Sequence, residues 1–117
     1  MGTNALAQKK CQSCEGIGKA LDTAKVKEYL VLTPGWSVDA QGKGIAREYV
    51  MKNFVAAVKT IERIAEIAEA ENHHPDIHLT GYRKLNIYLT THALGGLSEN
   101  DFIVAAKINQ VPMGLKK

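Results

Sequence analysis

The sequence predicts an α+β domain with a four-stranded antiparallel sheet and three helices packed on one of its faces. Two observations lead to this fold class. Apolar residues recur at helical spacing in three segments and alternate with polar residues in others. These segments follow the order helix, two strands, helix, two strands, helix, which an antiparallel sheet with helices on one face satisfies. The chain has 117 residues, of which 45% are hydrophobic, so we expect one domain.

The first helix and the first two strands are predicted from caps and turns. Asp22 or Thr23 can cap the helix at its start, and Pro34-Gly35 ends it. Residues 36–38 and 45–51 are strand-like, and the run between them is rich in turn residues. We therefore expect these two strands to pair as a hairpin.

Residues 53–71 form the longest predicted helix. The apolar residues recur every three or four positions, which predicts a face that packs on the sheet. That face is expected to contain Phe54, Val58, Ile61, Ala65 and Ala68, widened by Ile64 and Ile67. The charged residues on the other side indicate a solvated face.

The second half of the chain repeats the strand, strand, helix order. Proline disfavours helical backbone in the residue before it, so His73-His74-Pro75 must leave the helix, and strands are predicted over 77–82 and 84–91. The alternation in the second of these strands places His92 on its polar side. Ser98-x2-Asp101 is a capping box that opens a last helix. The inner side of this helix is expected to contain Phe102, Ile103, Ala106 and Ile108.

Composition narrows the class of protein. The net charge of +3 comes from 15 basic and 12 acidic residues that are dispersed along the chain, which argues against direct binding of nucleic acid. No apolar run approaches the roughly 20 residues that cross a bilayer, and the start of the chain lacks a secretory pattern. We expect a soluble cytoplasmic protein, with the nucleus as the alternative compartment, and no contact with a membrane.

The N-terminal residues contain the sole cysteine pair, Cys11-x2-Cys14. This pair has three interpretations: half of a zinc site, a redox pair or an inert segment. No second pair exists in the sequence and no strand-like run precedes this one, so the inert segment is the default. We expect residues 1–20 to be an N-terminal extension that can be flexible, and residues 21–117 to be the domain.

The segment from Glu69 to Asp101 is predicted to do the chemistry, because it gathers His73, His74 and His92. Imidazole exchanges protons near neutral pH and also binds metals. Simpler roles exist for each residue: a cap at the helix end for His73 or His74, an exposed turn for His92, and the capping box for Asp101. A metal cluster with His78 is disfavoured by its spacing, and we expect no metal.

The spacing of these residues resembles the signature of the pterin-4a-carbinolamine dehydratase family over roughly residues 20–112. The signature is an acidic residue, three residues, His-His-Pro, an aromatic residue, a later histidine and an aspartate. In this chain the residues of the signature are Glu69, His73-His74-Pro75, Tyr82, His92 and Asp101. Three further segments are also similar to the family: Pro34-Gly35-Trp36, Thr91-His92 and Gly96-Leu97-Ser98-Glu99-Asn100-Asp101.

The resemblance implies the loss of water from a 4a-hydroxytetrahydropterin, the recycling step that follows aromatic amino-acid hydroxylases. It implies that His73 and His92 transfer protons and that Asp101 orients or tunes the site. His74 would hold the pterin beside Pro75, with Glu69 as a supporting carboxylate. It calls for no metal and no cofactor, and it implies a homodimer or homotetramer. Which histidine is the acid stays open, and so does the natural pterin.

The chain departs from the family pattern at Asn100 and in the longer gap to its aromatic residue, and two competing functions stay open. Animal members of the family often have arginine where this chain has Asn100. Some animal relatives act as dimerisation cofactors of a homeodomain transcription factor through a helical surface, so a non-catalytic protein-binding module is the alternative function. A small histidine-rich metal protein is the third hypothesis.

Overall fold

A computed structural model of the chain describes residues 6–12 and 18–116. The described part contains three α-helices and a four-stranded antiparallel sheet, so the predicted fold class is confirmed. The elements are α1 (Thr23–Leu32), β1 (Ser37–Val38), β2 (Ile45–Val50), α2 (Phe54–Glu71), β3 (Asp76–Thr80), β4 (Lys84–Leu89), a 3₁₀ turn (His92–Leu94) and α3 (Glu99–Asn109).

The sheet has the strand order β1-β2-β4-β3, and each neighbouring pair is antiparallel. The predicted hairpin of β1 and β2 is therefore confirmed. Side chains alternate between the two faces of a strand, and the inward face of the two central strands is buried except at the half-buried Arg47. The buried residues of this face are Ile45, Tyr49, Leu85, Ile87 and Leu89.

Two predicted strand ends were wrong. The third strand ends at Thr80 because Gly81 and Tyr82 both have positive φ angles, 54° and 56°, and make the turn to β4. The fourth strand ends at Leu89, and beyond it Thr91 forms only an isolated bridge to Gly96. His92 therefore does not lie on the polar side of a strand but begins the 3₁₀ turn.

Helix α1 begins and ends as predicted. The Asp22 side chain accepts a hydrogen bond of 2.9 Å from the backbone N–H of Lys25, which makes Asp22 the N-cap. The helix ends at Leu32, two residues before Pro34.

Helix α2 has the predicted length, but its inner face was predicted wrongly in part. Phe54, Val58 and Ala65 are exposed. The buried residues are Ala57, Thr60, Ile64 and Ala68, which also recur at helical spacing. The helix thus has two overlapping apolar stripes, and periodicity alone does not decide which stripe faces the sheet.

Helix α3 is the central helix, since it packs against both α1 and α2. Ser98 is its N-cap, and the Asp101 carboxylate accepts the backbone N–H of Ser98 at 2.9 Å, as the capping-box pattern predicts. The predicted inner residues Phe102, Ile103, Ala106 and Ile108 are all buried. This burial fixes the first turn of α3, which carries Asp101.

Within the described residues, no helix is both long and apolar enough to span a bilayer. Residues 6–12 lie against the helical layer, with Leu6 and Ala7 buried. Cys11 is a free cysteine that is half-buried, and Cys14 lies outside the described residues.

Candidate functional site

His73 and His74 follow the end of α2, and their side chains face different directions. Asn72 adopts a left-handed conformation with φ 52° and ends the helix. The backbone N–H of His73 then donates to the carbonyl of Ala68 at 3.1 Å. The His73 side chain is 11% exposed, whereas the His74 side chain is 55% exposed. One imidazole therefore faces the interior and the other faces solvent.

His73 is paired with the buried carboxylate of Asp101. Its Nε2 atom lies 2.6 Å from Asp101 Oδ1. The other oxygen of Asp101 accepts the Thr91 hydroxyl at 2.8 Å and the Ser98 backbone N–H at 2.9 Å. The Thr91 hydroxyl has one hydrogen, which it gives to Asp101, so Ser98 Oγ donates to Thr91 Oγ1 across 2.8 Å. The result is a buried hydrogen-bonded chain that ends on the imidazole.

This arrangement determines which nitrogen of His73 can exchange a proton. An ionised carboxylate only accepts hydrogen bonds, so Nε2 of His73 carries a hydrogen that it donates to Asp101. The other nitrogen, Nδ1, then has the lone pair in the neutral ring. Burial of the Asp101 carboxylate is costly, and its three donors offset that cost. The pair can orient the ring and stabilise it when it becomes cationic.

His74 and Glu69 form a second histidine–carboxylate pair at the surface. His74 Nε2 lies 2.6 Å from Glu69 Oε2, and the Glu69 side chain is 76% exposed. Because both groups are exposed, their pairing contributes little to stability. Pro75 follows His74 and is half-buried.

His92 lies one residue after Thr91, whose hydroxyl binds Asp101. Its side chain is exposed at the start of the 3₁₀ turn and lines a cavity of about 250 Å³. The other lining residues are Gln41, Lys43, Tyr88, Thr90 and Gly95. His73 does not line this cavity. The structure thus links the two histidines through Thr91 and Asp101 but does not place them in this one cavity.

The loop between β1 and β2 contributes Gln41 and Lys43 to the lining of the His92 cavity and is held against β4. Tyr88 donates to Asp39 Oδ2 at 2.7 Å, and Thr90 donates to the Lys43 carbonyl at 2.5 Å. The hydrogen bond to Asp39 raises the pKa of Tyr88 to about 12 and lowers the pKa of Asp39. Gly44 permits this contact, because a Cβ atom there would lie 2.0 Å from the Tyr88 hydroxyl oxygen.

The sequence analysis named Thr91 and Ser98 only as parts of motifs, and it missed the hydrogen bond from Thr91 to Asp101, the one between Thr91 and Ser98 and the contact between Tyr88 and Asp39. The position of Thr91 directly before His92, and of Ser98 in the capping box, were the available signals. No sequence pattern pointed to Asp39, which lies 49 positions from Tyr88.

Two further residues of the sequence motif region lie apart from these pairs. Tyr82 is 56% exposed in the turn between β3 and β4, beside Arg83. His78 is exposed on the edge strand β3, opposite Asn86. Among residues 6–12 and 18–116, no group of three or more His, Cys, Asp or Glu side chains is placed to hold a metal ion.

Comparisons with known proteins agree on one family. The family model described as "Pterin 4 alpha carbinolamine dehydratase" matches residues 19–111. A "Putative pterin-4-alpha-carbinolamine dehydratase" of Legionella pneumophila (strain Lens) is 44% identical over 110 residues, covering 93% of this chain and 96% of that protein. The mitochondrial "Pterin-4-alpha-carbinolamine dehydratase 2" of Arabidopsis thaliana is 39% identical over 109 residues, which are 91% of this chain and 58% of that protein.

A solved structure agrees with the fold. The crystal structure of a "transcriptional coactivator/pterin dehydratase" from Brucella melitensis superposes with a TM-score of 0.73 at 28% sequence identity. The match covers 78% of this chain and 96% of that chain.

Proposed function

The chain belongs to the pterin-4a-carbinolamine dehydratase family, and we propose that it removes water from a 4a-hydroxytetrahydropterin. In this reaction the C4a–O bond breaks and a proton joins the departing hydroxyl to form water. Loss of the proton on N5 leaves the C4a=N5 double bond of the quinonoid dihydropterin. One proton is supplied and one is removed, so the reaction needs an acid and a base.

His73 is the proposed base, and its pairing with Asp101 is the observation that carries this proposal. Asp101 holds a hydrogen on Nε2, which leaves the lone pair on Nδ1 to take the N5 proton. The buried carboxylate then stabilises the positive charge on the ring.

His92 is the proposed acid, which gives a proton to the departing hydroxyl. Its support is that the ring is open to a cavity and lies one residue from Thr91, which binds the same carboxylate as His73. The proposal requires one pterin to reach both rings.

The residues proposed to hold the substrate are His74, Glu69 and Pro75. The His74–Glu69 pair presents a polar edge beside His73, and the pterin ring carries several hydrogen-bonding atoms. The proposed setting is the recycling of tetrahydrobiopterin after aromatic amino-acid hydroxylation.

The test follows the ultraviolet absorbance of a chemically made 4a-hydroxytetrahydropterin. His73→Ala and His92→Ala are each expected to lower kcat by about 10²- to 10⁴-fold, the usual contribution of one proton-transfer group. His78→Ala is the matched control, because His78 is exposed on β3 and outside the site. Equal rates for the three variants and the unaltered protein would refute the assignment.

We also propose that the protein forms a homodimer or homotetramer through the start of α2. Phe54, Val55 and Val58 lie on one side of that helix and are 53%, 59% and 38% exposed. Covering apolar surface of this kind stabilises an assembly. Val58→Glu is expected to lower the molar mass measured by light scattering, whereas Val31→Glu on α1, where Val31 is 79% exposed, leaves it unchanged. A monomeric unaltered protein would contradict the proposal.

The same α2 surface supports the alternative function, a non-catalytic dimerisation cofactor or other protein-binding module. The Brucella melitensis protein is described as a coactivator as well as a dehydratase. Turnover of the carbinolamine that depends on His73 favours the enzyme. Absence of turnover, together with binding to another protein that Val58→Glu abolishes, favours the module.

A further inference from the structure

Residues 6–12, here called the N-terminal strap, are bound to α2 and α3 by side chains of those helices. The Lys107 Nζ atom of α3 donates to the Ala7 carbonyl at 2.6 Å, and Leu6 and Ala7 are buried. At the surface, Lys9 pairs with Glu99 at 2.5 Å. These contacts hold the strap along the helical layer.

The last two residues of the strap bind the two helices at different points. The Cys11 backbone N–H donates to Glu71 Oε1 at 2.8 Å. The Asn100 side chain binds both backbone groups of Gln12, accepting its N–H at 2.9 Å and donating to its carbonyl at 2.6 Å. Asn100 is 3% exposed, and both ends of its amide are used in these contacts. Consecutive strap residues therefore join the last residue of α2 to the first turn of α3.

These anchor points lie beside the two residues of the buried pair. Glu71 is two positions before His73, and Asn100 is directly before Asp101. The 2.6 Å contact between His73 and Asp101 depends on how the end of α2 lies relative to the start of α3. We infer that the N-terminal strap sets the geometry of the His73–Asp101 pair, with Asn100 as the positioning residue through which it acts.

The inference rests on the proposed function for its kinetic consequence. A displacement of about 1 Å at a reacting group can lower a rate by as much as 10²-fold, even when the substitution lies away from the chemistry. Asn100 touches the strap and not the cavity of His92, so its loss should act on kcat and leave the KM for the pterin nearly unchanged.

The first experiment measures kcat and KM in variants of both residues that form the Asn100–Gln12 contact. Asn100→Ala removes both hydrogen bonds to Gln12 and is expected to lower kcat by about 10- to 100-fold with less than about a twofold change in KM. Gln12→Pro removes the N–H that donates to Asn100 and also fixes the backbone φ angle of residue 12, so it is expected to lower kcat as well. Gln12→Ala is the matched control and should have unaltered kinetics, since the Gln12 side chain is exposed.

A second measurement separates positioning from a general loss of structure. If Asn100 acts through the pair, Asn100→Ala should lower kcat no further in a His73→Ala background. An equal loss in both backgrounds, or unaltered kinetics of Asn100→Ala and Gln12→Pro, would overturn the inference.

A spectroscopic readout tests the strap even if the protein proves not to be a dehydratase. In ¹⁵N-histidine-labelled protein, the Nε2 proton of His73 is identified by its absence from His73→Ala. We expect this proton to shift and to exchange faster with solvent in Asn100→Ala and Gln12→Pro, and to be unchanged in Gln12→Ala. An unchanged proton in all three variants overturns the inference, whereas an inactive protein that shows the expected shifts overturns only the proposed function.

Discussion

Substitution of Asp101 by asparagine tests the role of the buried carboxylate without changing its shape. One oxygen of Asp101 accepts two hydrogen bonds, from Thr91 and Ser98, and the other accepts one from His73. The amide oxygen of asparagine can replace the first oxygen, which turns its NH₂ group towards His73. His73 Nε2 must then accept a hydrogen bond, so the ring hydrogen moves to Nδ1. The nitrogen proposed as the base no longer has a lone pair.

The expected cost falls on catalysis rather than on stability. Loss of the correct tautomer should remove general-base catalysis, so kcat should fall by about 10²- to 10⁴-fold. The free energy of unfolding should change by less than about 2 kcal/mol, because weaker hydrogen bonds are offset by the smaller desolvation cost of a neutral group. Asp101→Ala instead leaves three buried donors without an acceptor and should cost about 3–5 kcal/mol.

The assay combines carbinolamine turnover with urea unfolding of the same variants. Glu69→Gln is the comparison variant, because it makes the same chemical change in the exposed pair with His74, which is proposed to hold the pterin and not to transfer protons, so its effect should fall on KM. Its kcat should stay within a few-fold of the unaltered value. The reasoning would be refuted if Asp101→Asn folded normally and retained kcat within about twofold, because the tautomer of His73 would then be irrelevant.

Two further predictions concern groups whose pKa is shifted. Burial, with a contribution from Glu71, raises the pKa of Cys11 from 9.0 to about 12. In a Cys14→Ser background, iodoacetamide at pH 8 should therefore alkylate Cys11 about 10²- to 10³-fold more slowly in the folded protein than in the protein unfolded in urea. Equal rates in the two states would contradict this burial. The Tyr88–Asp39 hydrogen bond lowers the pKa of Asp39 and raises the pKa of Tyr88 to about 12. In the unfolded chain these pKa values are 3.8 for Asp39 and 10.0 for Tyr88, and the hydrogen bond stabilises the fold fully between them. This stabilisation is lost as Asp39 becomes protonated below pH 3.8 and as Tyr88 ionises above pH 10.0. Tyr88→Phe should therefore cost about 1 kcal/mol at pH 7 and less at pH 3, measured by urea unfolding, and a cost that does not depend on pH would argue against the contact.

Local signals were sufficient to predict most of the fold. Asp22 and Ser98 are caps with a defined chemistry, and the alternation of β4 follows from one buried face. The inner face of α2 was not predictable in the same way, because Phe54 and Val58 belong to an apolar stripe that the isolated chain leaves exposed. Periodicity indicates that one side of a helix is apolar, but it does not indicate which of two overlapping apolar stripes packs on the sheet.

The spacing of the sequence singled out candidate site residues but did not indicate how they pair. The histidines and carboxylates were recognised from their spacing, whereas the pairing of His73 with Asp101 joins residues 28 positions apart. The two hydrogen bonds between Asn100 and Gln12 join residues 88 positions apart and use backbone groups of Gln12, which every residue except proline carries in full. Contacts of this kind leave no pattern in the sequence and appear only once the chain is folded.

The central claim is that His73 and His92 act on one pterin, and a crystal structure with a bound 7,8-dihydropterin tests it most directly. We expect a ring nitrogen of each histidine within about 3.2 Å, directly or through one water, of the positions of N5 and the 4a-hydroxyl. A pterin bound away from both rings, or one that reaches His92 in its cavity while His73 stays out of range, would contradict the claim.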